Sequence, residues 1–174
     1  MTTTKWLIDA GHSQVQFRVK HLAIANVAGN FKTFEGSVES NNDDFDHAAV
    51  HFELAAESID TNNAERDNHL KSDLFLNVEK FPKITFNGLL KKETGNYQLS
   101  GSLTILETTK NILFDVEYTG IGTGRFNDTR AGFEISGKIN RKDFGLNFNL
   151  ANEAGNLVVG NEIKLVGDIE LIKQ

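Results

Sequence analysis

Short runs in which apolar and polar residues alternate recur along most of this 174-residue chain. In the first of them, Val15, Phe17 and Val19 occupy alternate positions and polar residues occupy the others. Successive side chains of a strand point to opposite faces, so this pattern predicts a strand with one apolar and one polar face. Similar runs cover residues 50–54, 84–86, 112–118, 133–139, 146–150 and 163–171. Together they predict a mainly β chain with eight or more strands.

Turn-forming residues separate the predicted strands, at 28–30, 41–44, 94–96, 120–124 and 154–156. A single Pro and the lack of a Gly/Ser linker or charge run predict one domain, residues 1–174. Such strands must bury their apolar faces, either between two stacked sheets or inside one closed barrel. The residues alone leave both arrangements open. A barrel of about eight strands has room inside for side chains or for one small ligand.

A dense charged segment, residues 58–75, interrupts the alternating runs. Within and just beyond it, Leu70, Leu74 and Val78 are spaced at i, i+4 and i+8, which places them on one stripe of a helix. The spacing predicts a short helical insert near residues 62–80, beside an end of the sheet.

The ends and the polar face of this helix are also predicted from sequence. We expect Asp60 or Thr61 to cap its start and Pro82 to prevent its continuation. The polar run 66–69 is interpreted first as a structural network, in which the arginine bonds carboxylates or loop carbonyls and fixes the helix. The alternative is that these side chains hold or gate the mouth of a barrel.

Composition narrows the classes of function. The absence of Cys removes disulfides, thiolate metal sites and a cysteine nucleophile. A net charge of -6 argues against nucleic-acid binding and mildly against attraction to anionic membranes. The chain has 13 Phe but only 2 Tyr and 1 Trp, which suits a plain core or the wall of a dry cavity.

No apolar run is long enough for a signal peptide or a membrane-spanning helix. We therefore expect no stable membrane insertion. The expected location is cytoplasmic for the chain as it stands, or periplasmic if a leader has been removed from it.

Candidate catalytic and metal-binding groups are few. Ser13 follows His12, but adjacent residues of an extended chain point to opposite faces and cannot form a nucleophile and base pair. His47 and His51 would be about 13 Å apart along a strand, too far to share a metal ion. We expect no catalytic residue and no metal site.

A second polar cluster lies at residues 140–145, between two alternating runs. Its Arg141 and Asp143 are predicted either to pair across a turn or to point into a barrel mouth.

Several motifs occur in order along nearly the whole chain. They lie at residues 6–9, 12–13, 17–22, 29–36, 58–61, 66–70, 81–86, 101–105, 109–110 and 140–146. In this order they resemble the YceI family of lipid-binding proteins, which are also described as polyisoprenoid-binding and lipocalin-like.

The resemblance implies a single antiparallel, extended lipocalin-like β-barrel of about eight strands around an apolar tunnel. It implies non-enzymatic binding, transport or sequestration of a long-chain isoprenoid, polyprenyl or quinone-like, or of another long-chain lipid. No cofactor other than this ligand is expected, and a homodimer is compatible with the family. Two alternatives are an enzyme that acts on a lipid in the same cavity, and a structural or interaction module whose barrel is filled by its own side chains.

The resemblance and the alternation together suggest which residues form the site. The expected tunnel lining is Val15, Phe17, Val19, Phe31, Phe34, Phe52, Leu54, Phe75, Phe86, Leu103, Ile105, Phe114, Val116, Phe133, Ile135 and Phe148. The expected mouth and head-group candidates are His12, His21, Arg66, Asp67, His69, Arg141 and Asp143.

Overall fold

The computed structural model describes residues 2–41, 44–149 and 159–174. The strands in these ranges are β1 (Thr3–Ile8), β2 (Gln14–His21), β3 (Ala25–Phe31), β4 (Phe34–Asn41), β5 (Asp44–Ala55), β6 (Ile59–Asp60), β7 (Lys83–Glu93), β8 (Asn96–Ile105), β9 (Thr108–Thr123), β10 (Thr129–Asn140) and β11 (Val159–Lys173). The same ranges contain one α-helix, α1 (Ala64–Lys71), and the 3₁₀ helices Ala10–His12, Ala56–Ser58 and Arg141–Phe144.

The sheet closes on itself. Antiparallel neighbours follow one another in the order β1-β4-β5-β7-β8-β9-β10-β11, and β11 pairs back onto β1. The remaining strands lengthen the wall, because β2 follows β1 along β11 and β3 pairs with both β2 and β6. The predicted single antiparallel barrel of about eight strands is therefore confirmed, and the two-sheet alternative is wrong.

The alternation in the sequence decides which face of each strand lines the barrel. In β10 and β11, Phe133 lies directly opposite Ile169, while Glu134 lies opposite Asp168. Phe133 is buried and the two acidic residues are exposed. Because paired strands share their inward and outward positions, a register fixed by the apolar residues also fixes the polar outer surface.

One end of the barrel is filled by aromatic rings from five strands. Phe45 lies 5.1 Å from Trp6 and 5.0 Å from Phe133, measured between ring centroids. Tyr118 packs on Phe133 at 5.2 Å, and Tyr97 stacks on Tyr118 at 6.3 Å. We call these five residues the plug, and this end of the barrel the plugged end.

The helix α1 lies at the opposite end, which we call the helical end. The side chain of Asn63 accepts a 3.0 Å hydrogen bond from the backbone N–H of Arg66 and caps the first turn. The predicted cap at Asp60 or Thr61 is therefore wrong. Those residues precede the cap because the chain first completes the short strand β6.

The helix also ends earlier than the predicted range 62–80. The backbone N–H and the hydroxyl of Ser72 both donate to the carbonyl oxygen of His69, and this local bonding competes with continuation of the helix. Leu74 is consequently outside the helix and 51% exposed. The predicted apolar stripe does not form beyond α1, and Pro82 plays no part in ending it.

Three further local predictions are wrong. Residues 120–123, predicted as part of a turn at 120–124, belong to β9 because they pair with β10. Residues 28–30 lie inside β3 because they pair with β2, and do not form a turn. Leu146 and Phe148 lie in irregular chain, because their carbonyl oxygens bond to Arg141 and not to a neighbouring strand. Leu150 and the predicted turn at 154–156 lie outside the described residues.

Candidate functional site

The barrel encloses a cavity of about 260 Å³. Phe133 of the plug contributes to one end of its wall, and Leu70, Phe75 and Arg141 contribute at the helical end. Most of the other lining side chains are aliphatic or aromatic. Ile135 faces inward yet is only half-buried, because its side chain borders this open space. The interior is therefore not completely filled by its own side chains.

The shape of the wall depends on a glycine beneath a phenyl ring. Phe17 of β2 lies directly opposite Gly29 of β3. A Cβ atom at Gly29 would collide with the ring of Phe17 and would lie 2.9 Å from Cγ2 of Thr61. The absence of a side chain lets the Phe17 ring lie across β3, where it packs on Phe31 at 5.6 Å.

Most of the residues expected to line a tunnel do border the cavity. These are Val15, Phe17, Val19, Phe31, Phe52, Leu54, Phe75, Phe86, Leu103, Ile105, Phe114, Val116, Phe133 and Ile135. Phe34 and Phe148 are not among the lining residues. Phe34 packs on Phe52 at 6.1 Å, and Phe148 packs on Phe75 and His69 at 5.2 Å each. Contact of any of these residues with a lipid stays a prediction.

Other lining residues were missed by the sequence prediction. Ile163, Leu165 and Ile169 of β11 all border the cavity, and their alternation marks them as clearly as it marks the predicted ones. Leu70 and Leu76 also border it, but from α1 and the turn that follows. The helical spacing marks Leu70 as apolar, but no local signal places either residue at the cavity, because that position depends on how the helix is attached to the barrel.

The helix is attached through Thr61. The carboxylate of Asp67, which is buried, accepts a 2.9 Å hydrogen bond from the backbone N–H of Thr61 and a second from its hydroxyl. Arg66 donates to the hydroxyl and carbonyl oxygens of the same residue, at 2.8 and 2.7 Å. These bonds make Arg66 and Asp67 a structural link between α1 and the end of β6.

Arg141 connects the cavity wall to the chain around it and is only 2% exposed. Its guanidinium donates to the carbonyl oxygens of Gly160, Leu146 and Phe148 and to Oδ1 of Asn149, at 2.7 to 3.0 Å. Burial lowers the pKa of Arg141 from its ordinary value. The predicted pairing with Asp143 does not form, since Asp143 is exposed on the outside of the same 3₁₀ helix.

His12 lies on the outer wall, where a 3₁₀ helix separates β1 from β2. Its side chain is 69% exposed, and Nδ1 is 2.7 Å from the carboxylate of Asp9. His12 is not among the side chains that line the cavity. Its 3₁₀ helix lies beside Glu170 of β11, between the β11 residues that pair with β1 and those that pair with β2. A contact of His12 with a ligand head group stays a prediction.

An ion-pair network surrounds His12. The ligand atoms of Asp9, His12 and Glu170 lie within 4.8 Å of one another. Arg130 contacts the same carboxylates, at 3.1 Å from Glu170, and thus supplies positive charge where a cation would bind. Hydrogen bonds from Arg130 and then from His12 hold the pKa of Asp9 below its ordinary value of 3.8.

The other two candidate histidines lie at the helical end. His21 is exposed at the last position of β2. His69 of α1 packs edge-on against Phe75 and Phe148, with ring centroids 5.2 Å apart in both cases. The structure thus separates His12 from the other candidates and groups Arg66, Asp67, His69 and Arg141 around the helical end.

Comparison with known proteins identifies the family. The family model described as "YceI-like domain" matches residues 6–171. This chain belongs to the YceI-like domain family. Within it, the chain is 38% identical over 168 residues to the UPF0312 protein SERP2314 of Staphylococcus epidermidis, with 96% of each protein covered.

Solved structures agree with this assignment. The YCEI protein of Campylobacter jejuni is 30% identical, with a TM-score of 0.74 and coverage of 89% of this chain and 90% of that one. A polyisoprenoid binding domain from Saccharophagus degradans, implicated in plant cell wall breakdown, gives a TM-score of 0.70 at 12% identity, covering 97% and 98%. At that identity the second likeness shows only that the YceI-like barrel is shared.

None of the described helices has both the length and the apolar character needed to cross a membrane.

Proposed function

We propose that this YceI-like barrel binds one long-chain isoprenoid, polyprenyl or quinone-like, or a similar long-chain lipid, and carries or sequesters it without chemical change. The observation that supports this most directly is the apolar cavity of about 260 Å³ inside the barrel. Apolar surface removed from water stabilises a complex by about 25 cal/mol per Å², so such a wall favours a hydrocarbon tail. The Saccharophagus degradans domain, which has a similar fold, is named as polyisoprenoid binding, and this also supports an isoprenoid ligand.

The size of the cavity sets a limit on the ligand. Typical ligand sites have volumes of about 300–1,000 Å³, so this cavity is slightly smaller than the usual range. A long tail therefore fits only if its end leaves the barrel or if lining side chains move. The helical end is the better exit, because the rings of the plug pack closely at the other end.

The chemistry of the helical end favours a neutral head group. Arg141 lines the cavity, but four hydrogen bonds to protein oxygens already engage its guanidinium. Arg66 is likewise bonded to Thr61. A pyrophosphate inside the cavity needs lining cations that are free to bond it, and neither arginine is, so we favour a quinone, amide or alcohol. His21, Asp67, His69 and Asp143 stay candidates for contacts with that group.

The contacts of the polar candidates support binding over catalysis. Asp67 is bonded to Thr61, and His69 lies between two phenyl rings. A general base needs hydrogen-bond reach to a substrate proton. These side chains instead hold the helix and its following turn against the barrel.

The experiment is lipid uptake by a variant with a filled cavity. Ile135→Trp places a large ring in the cavity, and we expect at least about tenfold weaker binding of a fluorescent polyprenyl or quinone probe, as lost burial predicts. Leu113 of β9 is 55% exposed, on the outer face, so Leu113→Trp is the matched control and should bind as the unmodified protein does.

A second filled variant, Leu165→Trp, guards against misfolding of the first, since Leu165 also lines the cavity but lies on β11. Native mass spectrometry of the gently purified protein gives an independent readout. Unchanged probe binding by folded Ile135→Trp and Leu165→Trp proteins would overturn the proposal, as would failure of the unmodified protein to bind any polyprenyl, quinone or fatty probe.

A further inference from the structure

Positively charged side chains form a row across the outer wall near the helical end. Lys164 of β11 lies directly opposite Lys138 of β10 on one side and Arg18 of β2 on the other. Lys20 follows Arg18 on the same face of β2, and all four are exposed. Lys138 also makes a loose 3.9 Å contact with Glu162. We call Lys138, Lys164, Arg18 and Lys20 the cationic row.

A row of acidic residues lies nearer the plugged end on the same wall. Glu134 is directly opposite Glu117 on β9 and Asp168 on β11. This row is four residues from the cationic row along β10, or about 13 Å at the rise of a strand. Like charges directly opposite one another destabilise a sheet. The sheet would be more stable if acidic and basic side chains lay opposite one another. The separation of the two kinds of charge on this wall therefore needs an explanation other than stability.

The hairpin between β2 and β3 extends this edge with apolar side chains. Leu22 and Ala23 have positive φ angles, 53° and 60°, and the backbone N–H of Ile24 bonds to the carbonyl oxygen of His21 at 3.2 Å. This tight turn leaves Ile24 81% exposed and Leu22 39% exposed. We call residues 22–24 the apolar tip.

The tip and the row both adjoin the cavity. Val19 and Val159 line the cavity, and Val159 pairs with His21 at the base of the tip. The tip begins at Leu22, three residues after Val19, which corresponds to about 10 Å along a strand. Arg18 and Lys20 flank Val19 on the opposite face of β2.

We propose that the cationic row and the apolar tip dock on a bilayer that contains anionic lipids, with the helical end against the membrane. Cations near such a surface attract its head groups, and an exposed aliphatic tip gains by entering the interface. The overall charge of -6 argues mildly against membrane attraction, but the charge that meets the bilayer is that of this edge. The inference rests on the proposed lipid binding, because docking would place the cavity where a tail enters or leaves.

The charge arm of the test is cosedimentation with vesicles of phosphatidylcholine, either alone or mixed equally with phosphatidylserine. We expect binding to the mixed vesicles only, weakened at least about tenfold when Arg18→Gln and Lys164→Gln are combined, since each cation contributes to attraction. Lys91→Gln combined with Lys92→Gln removes the same charge near the plugged end of β7, and should leave binding unchanged. Equal losses in both double variants would overturn the proposal.

The apolar arm compares two hairpin tips of equal exposure. Ile24 is 81% exposed at the helical end, and Phe126 is 80% exposed on the hairpin between β9 and β10 at the plugged end. Ile24→Ser should weaken vesicle binding severalfold, whereas Phe126→Ser should not. A larger effect of Phe126→Ser would show that the other end meets the membrane and would overturn the orientation proposed here.

Uptake of a dispersed lipid probe in the absence of vesicles separates this inference from the proposed function. The Arg18→Gln, Lys164→Gln and Ile24→Ser changes should leave that uptake unchanged, because none of them alters a lining side chain. Probe uptake without binding to anionic vesicles would overturn the docking while the lipid-binding function stands. Vesicle binding without probe uptake would instead contradict the function.

Discussion

The indole Nε1 of Trp6 donates a 3.0 Å hydrogen bond to the hydroxyl oxygen of Ser40. The two residues lie on the paired strands β1 and β4 and are 0% and 2% exposed. Trp6 also packs against Phe45, so this bond ties the plug to the barrel wall. The closed end of the cavity is thus held by a polar contact as well as by ring packing.

Replacement of Trp6 by Phe tests this relationship. Trp6→Phe loses the hydrogen bond and part of a fully buried ring, and we expect it to lower the free energy of unfolding by about 2–4 kcal/mol. Ser40→Ala keeps the indole ring but leaves its buried N–H without this acceptor, which should cost about 1–3 kcal/mol. Denaturant unfolding monitored by circular dichroism measures both. Equal stability of Trp6→Phe and the unmodified protein would rule out a stabilising role for the plug contact.

Gly101 is predicted to be intolerant of any side chain. It lies directly opposite Gly88 on β7, and a Cβ at Gly101 would lie 2.5 Å from Cα of Gly88 and strike the carbonyl oxygen of Asn87. Because these neighbours are backbone atoms, Gly101→Ala should destabilise the barrel by about 1–3 kcal/mol. Gly122→Ala is the control, since its Cβ would meet nothing within 4 Å. The melting temperature of Gly101→Ala should be clearly lower than that of Gly122→Ala. Similar melting temperatures for the two variants would contradict the prediction.

Arg141 is expected to stabilise the chain segment that follows it. Arg141→Lys retains the positive charge but loses most of four hydrogen bonds, which leaves buried carbonyl groups with fewer donors. The expected cost is about 2–4 kcal/mol. Lys142→Gln, an exposed change on the same 3₁₀ helix, should cost little. Hydrogen exchange of residues 146–149 should accelerate only in the Arg141 variant; unchanged exchange there would show that the guanidinium does not hold this segment.

The outer network around Arg130 predicts a dependence of stability on pH. Hydrogen bonds from Arg130 are the largest cause of the lowered pKa values of Asp9 and Asp128, whose ordinary value is 3.8. A carboxylate with a lowered folded pKa adds stability above its unfolded pKa and loses it as pH falls through the folded one. The contribution should therefore be complete at neutral pH and disappear in acid below 3.8.

Arg130→Gln tests that dependence by removing the shared partner. The variant should be less stable than the unmodified protein at neutral pH, and the difference should shrink as the solution is acidified below 3.8. Arg125→Gln, at an exposed position of the same hairpin, is the control. The measurement is the melting temperature of each protein across this pH range. If the difference between Arg130→Gln and the unmodified protein stays constant or grows in acid, the assigned role of the network is wrong.

Much of the barrel follows from local patterns. The alternation of Val15, Phe17 and Val19 predicts which face of β2 turns inward, because side chains of a strand alternate whatever the strand pairs with. The same alternation predicts that Ile163 and Leu165 of β11 face inward, and both border the cavity. The resemblance of the ordered motifs to the YceI family then implied one closed sheet and not two stacked sheets.

Non-local contacts decided the rest. The closure of β11 onto β1, the bonding of α1 to Thr61, and the use of Arg141 as a donor to four oxygens each join residues whose partners no periodicity identifies. The cavity also could not be predicted from local patterns. Alternation shows which side chains point into the barrel, but it does not show how far apart opposite walls lie. The sequence by itself therefore determined the faces of the strands and the fold family, whereas the tertiary structure decided where space remains inside and which polar side chains are engaged in holding the wall.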